Sequence, residues 1–83
     1  MMTREDIRGW LTDYPLKPEN PTHMIVAIDT FDYEDYPVYV EEGEDAQEKV
    51  DEINDRSMQK VMEVYNYSID LEEQIAAKRV WNI

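Results

Sequence analysis

The stretch His23–Phe31 places the tightest constraint on the fold. It is dense in Met, Ile, Val and Ala, and its apolar side chains fall on both alternating faces. A strand with one wet face alternates apolar with polar residues. This one needs cover on both sides, so it is expected to be a central strand between two layers. Its longest unbroken apolar run, Met24 to Ile28, is far too short to span a bilayer. The 83 residues make one domain, 1–83, which buries only a little over half of its unfolded surface. Apolar residues form 42% of the chain, with six Tyr and two Trp, enough for a small core and against disorder. Without Cys there is no disulfide framework, thiolate metal site or Cys nucleophile.

The other elements follow from caps and periodicity. Thr3-Arg4-Glu5-Asp6 has the form of a helix N-cap with an acidic residue three positions on. Ile7, Trp10, Leu11 and Tyr14 then mark one apolar helical face, which Pro15 ends by disfavouring helical geometry at Tyr14. Pro15, Pro18 and Pro21 punctuate an extended connector. After the His23–Phe31 strand, Asp32-Tyr33-Glu34-Asp35-Tyr36 reads as a polar loop and Pro37–Glu41 as a second strand, paired with the first as a hairpin. Pro37 lacks an N–H and belongs at a strand start or a free edge. Gly43 breaks that strand. Asp45 caps a helix in which Ala46, Val50 and Ile53 face the core, and Asn54-Asp55 stops it.

Met58–Tyr67 fits two patterns. Met58, Val61, Met62 and Tyr65 suit a helix, whereas Val61, Glu63, Tyr65 and Tyr67 alternate with Met62, Val64 and Asn66 as in a strand. The β-branched and aromatic residues tip the balance towards a strand. Asp70 caps a last helix with Leu71, Ile75 and Val80 inward. The expected fold is α+β, in the order α-β-β-α-β-α: a small three-stranded, at least partly antiparallel sheet with helices packed on it.

Charge is distributed unevenly. Twelve of the twenty carboxylates lie between Asp29 and Asp55, and the only basic residue among them is Lys49. That stretch carries −11 of the chain's −12, so the flanks are nearly neutral. Solubility alone does not require such regional acidity. A negative patch repels nucleic acid and anionic membranes and attracts basic surfaces. Neither direct nucleic-acid binding nor membrane binding is therefore expected.

No reaction is expected. The single histidine, His23, sits at the edge of an apolar run without an evident partner. Ser57 and Ser68 lie in no nucleophile elbow. Carboxylate pairs are so abundant that any glycosidase-like pair is uninformative. A calcium loop starting at Asp32 requires Gly sixth and Glu twelfth, and has Pro37 and Gly43 there. No phosphate-cradling Gly-rich loop exists. No catalytic residue, metal site or cofactor is assigned.

Recognition remains. Glu48, Asp51, Glu52 and Asp55 stand three or four residues apart, about 5–6 Å between neighbours on a helix. Alternate residues of a strand lie roughly 6.5–7 Å apart. Both spacings are comparable to neighbouring phosphates on a nucleic-acid strand. The candidate partner-binding residues are Asp29, Asp32, Tyr33, Glu34, Asp35, Tyr36, Glu41, Glu42, Glu44, Asp45, Glu48, Asp51, Glu52 and Asp55. They are expected to run through the hairpin loop, the second strand and one helix as a single face. The interleaved tyrosines supply rigid contact area.

This Cys-free, strongly acidic chain resembles the small accessory proteins of phages and prophages. Among them are the DNA-mimicking inhibitors of restriction and CRISPR nucleases. The resemblance is compositional, is carried by Asp29–Asp55, and involves no motif. It implies an acidic, non-enzymatic inhibitor that occupies the basic nucleic-acid-binding surface of a host defence or nucleic-acid-handling protein. The alternative is a structural or assembly protein acting through apolar contacts at Trp10, Trp81 and Ile83, its acidity serving solubility only. The N-terminus lacks the apolar run of a signal peptide, so a cytoplasmic location is expected, the host cytoplasm if phage-encoded. Oligomeric state is left open.

Overall fold

A computed structural model describes residues 3–83. The elements are α1 (Arg4–Thr12), β1 (Pro21–Asp29), β2 (Glu34–Glu41), α2 (Ala46–Asp55), β3 (Gln59–Asn66) and α3 (Leu71–Ala76). The order is the expected α-β-β-α-β-α, and the Met58–Tyr67 segment is a strand. The three strands form an antiparallel sheet in the order β2-β1-β3.

The central strand is β1, and both of its faces are covered. Ile25 and Ala27 point into a cluster with Val50 and Ile53 of α2, whereas Met24 and Val26 join Ile7 and Leu11 of α1 and Ile75 of α3. Met24 and Ile25 are fully buried, each contributing about 1.5–3 kcal/mol. The hairpin is longer than expected. Asp29 Oδ1 accepts from the Phe31 amide at 2.8 Å, tightening the turn. Pairing then continues to Asp29 opposite Glu34, so Glu34–Tyr36 belong to β2 and not to a loop. Pro37 lies within β2, an outer strand, where its missing N–H can face away from the ladder.

One extra residue decides the faces of β3. Val26 pairs with Glu63 and Ala27 with Val61, so Met62 is a bulge. Val61 therefore faces α2, while Glu63, Tyr65 and Tyr67 face α1 and α3; strict alternation would have put all four on one face. The amide of Val61 finds the Asn54 side chain at 2.9 Å, which ties the end of α2 to the bulge.

Caps mark the helix starts. Thr3 and Asp6 form a capping box on α1, Asp45 accepts from the Glu48 amide, and Asp70 accepts from the Glu72 and Glu73 amides. Two ends differ from expectation. α1 stops at Thr12, and Asp13, with φ −140° and ψ 21°, has left helical geometry before Pro15 is reached. Tyr14 is thus outside the helix, yet stacks edge-on to Trp10. α3 ends at Ala76, so Val80 is not helical. It is buried because residues 80–82 run parallel along β3, with Val64 N donating to Val80 O and Asn82 N to Val64 O, both at 3.0 Å.

Candidate functional site

The acidic stretch divides into three parts. The first is the hairpin tip, where Asp32, Tyr33 and Glu34 are exposed and Asp29 and Asp35 half-buried. The second is the opposite end of β2, where Glu41, Glu42, Glu44 and Asp45 are all exposed. Between Asp35 and Glu41 the strand carries no charge, and eight residues of strand hold these two groups roughly 24 Å apart. The third part is α2, which starts beside Glu41–Asp45. Its end is joined by residues 56–58 to Gln59, the partner of Asp29. The exposed carboxylates of α2 therefore connect the far end of β2 to the tip. They do so over about 15 Å of helix. Continuity comes from the helix and not from the second strand.

On α2 the division of labour is clean. Ala46, Val50 and Ile53 are buried; Glu48, Asp51, Glu52 and Asp55 are exposed. Asp51 accepts from Gln47 at 2.9 Å, and Glu52 pairs with Arg56 at 3.0 Å. At the helix start, Glu44 accepts from the Glu41 amide at 2.9 Å and meets Lys49 at 3.1 Å. The backbone bond first, and the ammonium second, hold its carboxyl below the usual carboxylate range. Gly43, with φ 93°, supplies the left-handed turn that makes this loop possible.

Tyr36 leaves the candidate surface. It is half-buried against the α2 side of the core, and its hydroxyl is buried without a hydrogen-bond partner. Tyr39 packs on the other side, donating to Trp10 O at 2.5 Å, and burial pushes its pKa up. Tyr33 alone of these tyrosines is exposed. At the tip its exposed apolar neighbours are Phe31 and Met58, which the carboxylate pattern gave no reason to single out.

His23 is half-buried, with Nδ1 3.0 Å from Thr22 Oγ1, and burial lowers its pKa. Among the described residues, no group of three or more His, Asp or Glu could hold a metal ion, and no helix is long and apolar enough to cross a membrane.

A cleft of about 640 Å³ opens between the first turn of α1, the bulge at Met62 and Lys78–Arg79. Within it, Arg4 makes a dense set of hydrogen bonds. The guanidinium donates to Glu63 Oε1 at 3.2 Å, Tyr65 OH at 2.8 Å, Ala77 O at 2.9 Å and Lys78 O at 3.2 Å. Tyr65 OH also donates to Glu63 Oε1 at 2.9 Å. Arg4 is thus occupied as a clamp holding α1, β3 and the segment after α3 together. Alternation puts Glu63 on the face of Tyr65, but no sequence pattern announces its partner, because Arg4 lies 59 positions away. Compared with family models, curated proteins and solved structures, the chain finds no match.

Proposed function

We propose that the chain is an acidic, non-enzymatic binding protein that occupies the basic nucleic-acid-binding surface of another protein. A host defence nuclease of restriction or CRISPR type is the partner class that fits, with the chain acting inside the cell as a phage-encoded inhibitor. The observation that carries this reading is the outward row on α2. Four carboxylates at phosphate-like spacing stand on a helix whose apolar stripe is already used by the core. Among the described residues they make only exposed contacts, Asp51 with Gln47 and Glu52 with Arg56, and their joint field favours a Lys/Arg channel.

The test is inhibition of DNA cleavage across a panel of restriction and CRISPR nucleases. Inhibition should fade as salt rises, because exposed charge is screened within about 8–10 Å at ordinary ionic strength. Replacing Glu48, Asp51, Glu52 and Asp55 by Gln or Asn should abolish inhibition in a folded protein. A panel with no inhibited member, or a variant as potent as the parent, refutes the reading. The assembly reading draws on Trp81 and Ile83, which are 46% and 45% exposed. It requires self-association that is insensitive to salt, and sizing across a range of concentrations distinguishes the two.

A further inference from the structure

Large apolar side chains collect at one end of the sheet without covering anything. Phe31 and Tyr33, in the β1–β2 turn, are 71% and 75% exposed, and Met58, in the α2–β3 connection, is 58% exposed. The two loops are held side by side. Thr30 N donates to Met58 O at 2.8 Å, and Asp29 pairs with Glu34 on one side and Gln59 on the other. Single exposed apolar residues need no explanation, but large ones gathered together on a small domain mark an interaction site. The core makes no use of these three, since both faces of β1 are closed by other residues.

Their setting selects the occupant. Asp32, Glu34 and Asp55 are exposed beside them, with two exposed cations, Lys60 and Arg56, the latter paired with Glu52. The balance is net negative, so a second copy would set like charge against like, and an anionic bilayer would be repelled. A protein surface with an apolar hollow bordered by Lys and Arg complements both the charge and the apolar tip. We infer that Phe31, Tyr33 and Met58 form an anchor that enters such a hollow on the partner, with the carboxylates as its polar rim. This inference rests on the acidic-surface reading and adds a division of work. The carboxylates steer and align the encounter, and the apolar tip, desolvated at the centre, sets the lifetime of the complex.

Two synthetic peptides of equal length and charge separate these parts: one alternates Lys with Leu, the other Lys with Ser. Binding is read by fluorescence anisotropy and by broadening of the Met58 methyl resonance. The parent protein should bind the Leu peptide about tenfold more tightly than the Ser peptide, a difference of about 1.4 kcal/mol. The double variant Phe31→Ser, Tyr33→Ser should lose that preference while keeping its affinity for the Ser peptide. The variant neutralised at Glu48, Asp51, Glu52 and Asp55 should weaken towards both peptides and keep the preference. Equal binding of the two peptides by the parent, or a preference that survives the tip substitutions, overturns the inference and leaves the acidic reading intact. Binding of neither peptide removes the acidic reading, and the anchor with it. Both substituted tip residues are exposed, and an unchanged amide spectrum outside the tip verifies the fold.

Discussion

If the α2 carboxylates serve a partner, removing them should make the free protein more stable. The variant carries Gln at positions 48 and 52 and Asn at 51 and 55, which takes the net charge from −12 to −8. Four like-charge neighbours disappear: 48 with 51, 48 with 52, 51 with 55 and 52 with 55. Each costs about 0.2–0.5 kcal/mol on an exposed helix, so together they come to about 1–2 kcal/mol. Three smaller effects accompany this. Loss of the exposed Glu52–Arg56 pair removes about 0.3–0.5 kcal/mol. Glu48 lies in the first turn, where a negative charge is favourable, and Asp55 at the last residue, where it is unfavourable. Those two dipole effects are each about 0.3–1 kcal/mol and cancel to first order. Asp51→Asn keeps a side-chain oxygen to accept from Gln47. The net is a gain of about 0.5–1.5 kcal/mol, or roughly 2–12 °C in melting temperature for a domain of this size. Thermal unfolding followed by circular dichroism at low salt measures it, and added salt should narrow the gap between the two proteins. A variant that melts lower than the parent would show that these carboxylates are structural and not held in reserve for a partner.

Other perturbations probe the frame. Arg4→Met should cost about 2–3 kcal/mol in urea unfolding followed by Trp fluorescence. This is less than the roughly 3–5 kcal/mol for stranding one member of a fully buried ion pair, because the Arg4 side chain is 40% exposed while that of Glu63 is 9% exposed. Met58 holds φ 63°, which favours glycine; Met58→Gly should gain up to about 1 kcal/mol in the same assay while weakening the Leu peptide complex. Burial raises the pKa of Tyr39, Tyr65 and Tyr67, that of Tyr67 to about 12. A raised tyrosine pKa keeps its stabilisation below the unfolded value near 10 and loses it as pH climbs through the folded value. Stability should therefore fall between about pH 10 and 12, and Tyr67→Phe should flatten that part of the profile read by absorbance at 295 nm.

Caps and stripes were readable from sequence because they are local. Thr3, Asp45 and Asp70 each cap the helix they precede, and Ala46, Val50 and Ile53 are spaced as one face of a helix demands. The two-sided core of β1 was visible in Met24–Ile28 for the same reason. What escaped was set by single residues acting over distance. The bulge at Met62 reverses the facing of everything before it, and no count of alternation contains an extra residue. Alternation places Glu63 on the face of Tyr65 and Tyr67, but nothing local shows that Arg4, 59 positions away, meets it there. Val80 was expected as an inward residue of a helix that in fact ends at Ala76, and it is buried by edge pairing instead. At the candidate site the exposure of the α2 row was legible. The inward turn of Tyr36 was not, because adjacent strand residues part company only once a sheet face is chosen.

The two outer edges of the sheet are treated differently from one another. Along β3 the backbone groups of Val64 are taken by residues 80–82. Along β2 the edge is unpaired among the described residues but broken at mid-strand by Pro37. A visiting chain that recognises proteins by lending them a strand meets one occupied border and one interrupted border. If the proposed partner exists, its affinity rests on side chains, and side chains on a frame held by other contacts can be exchanged one at a time while the backbone stays as it is.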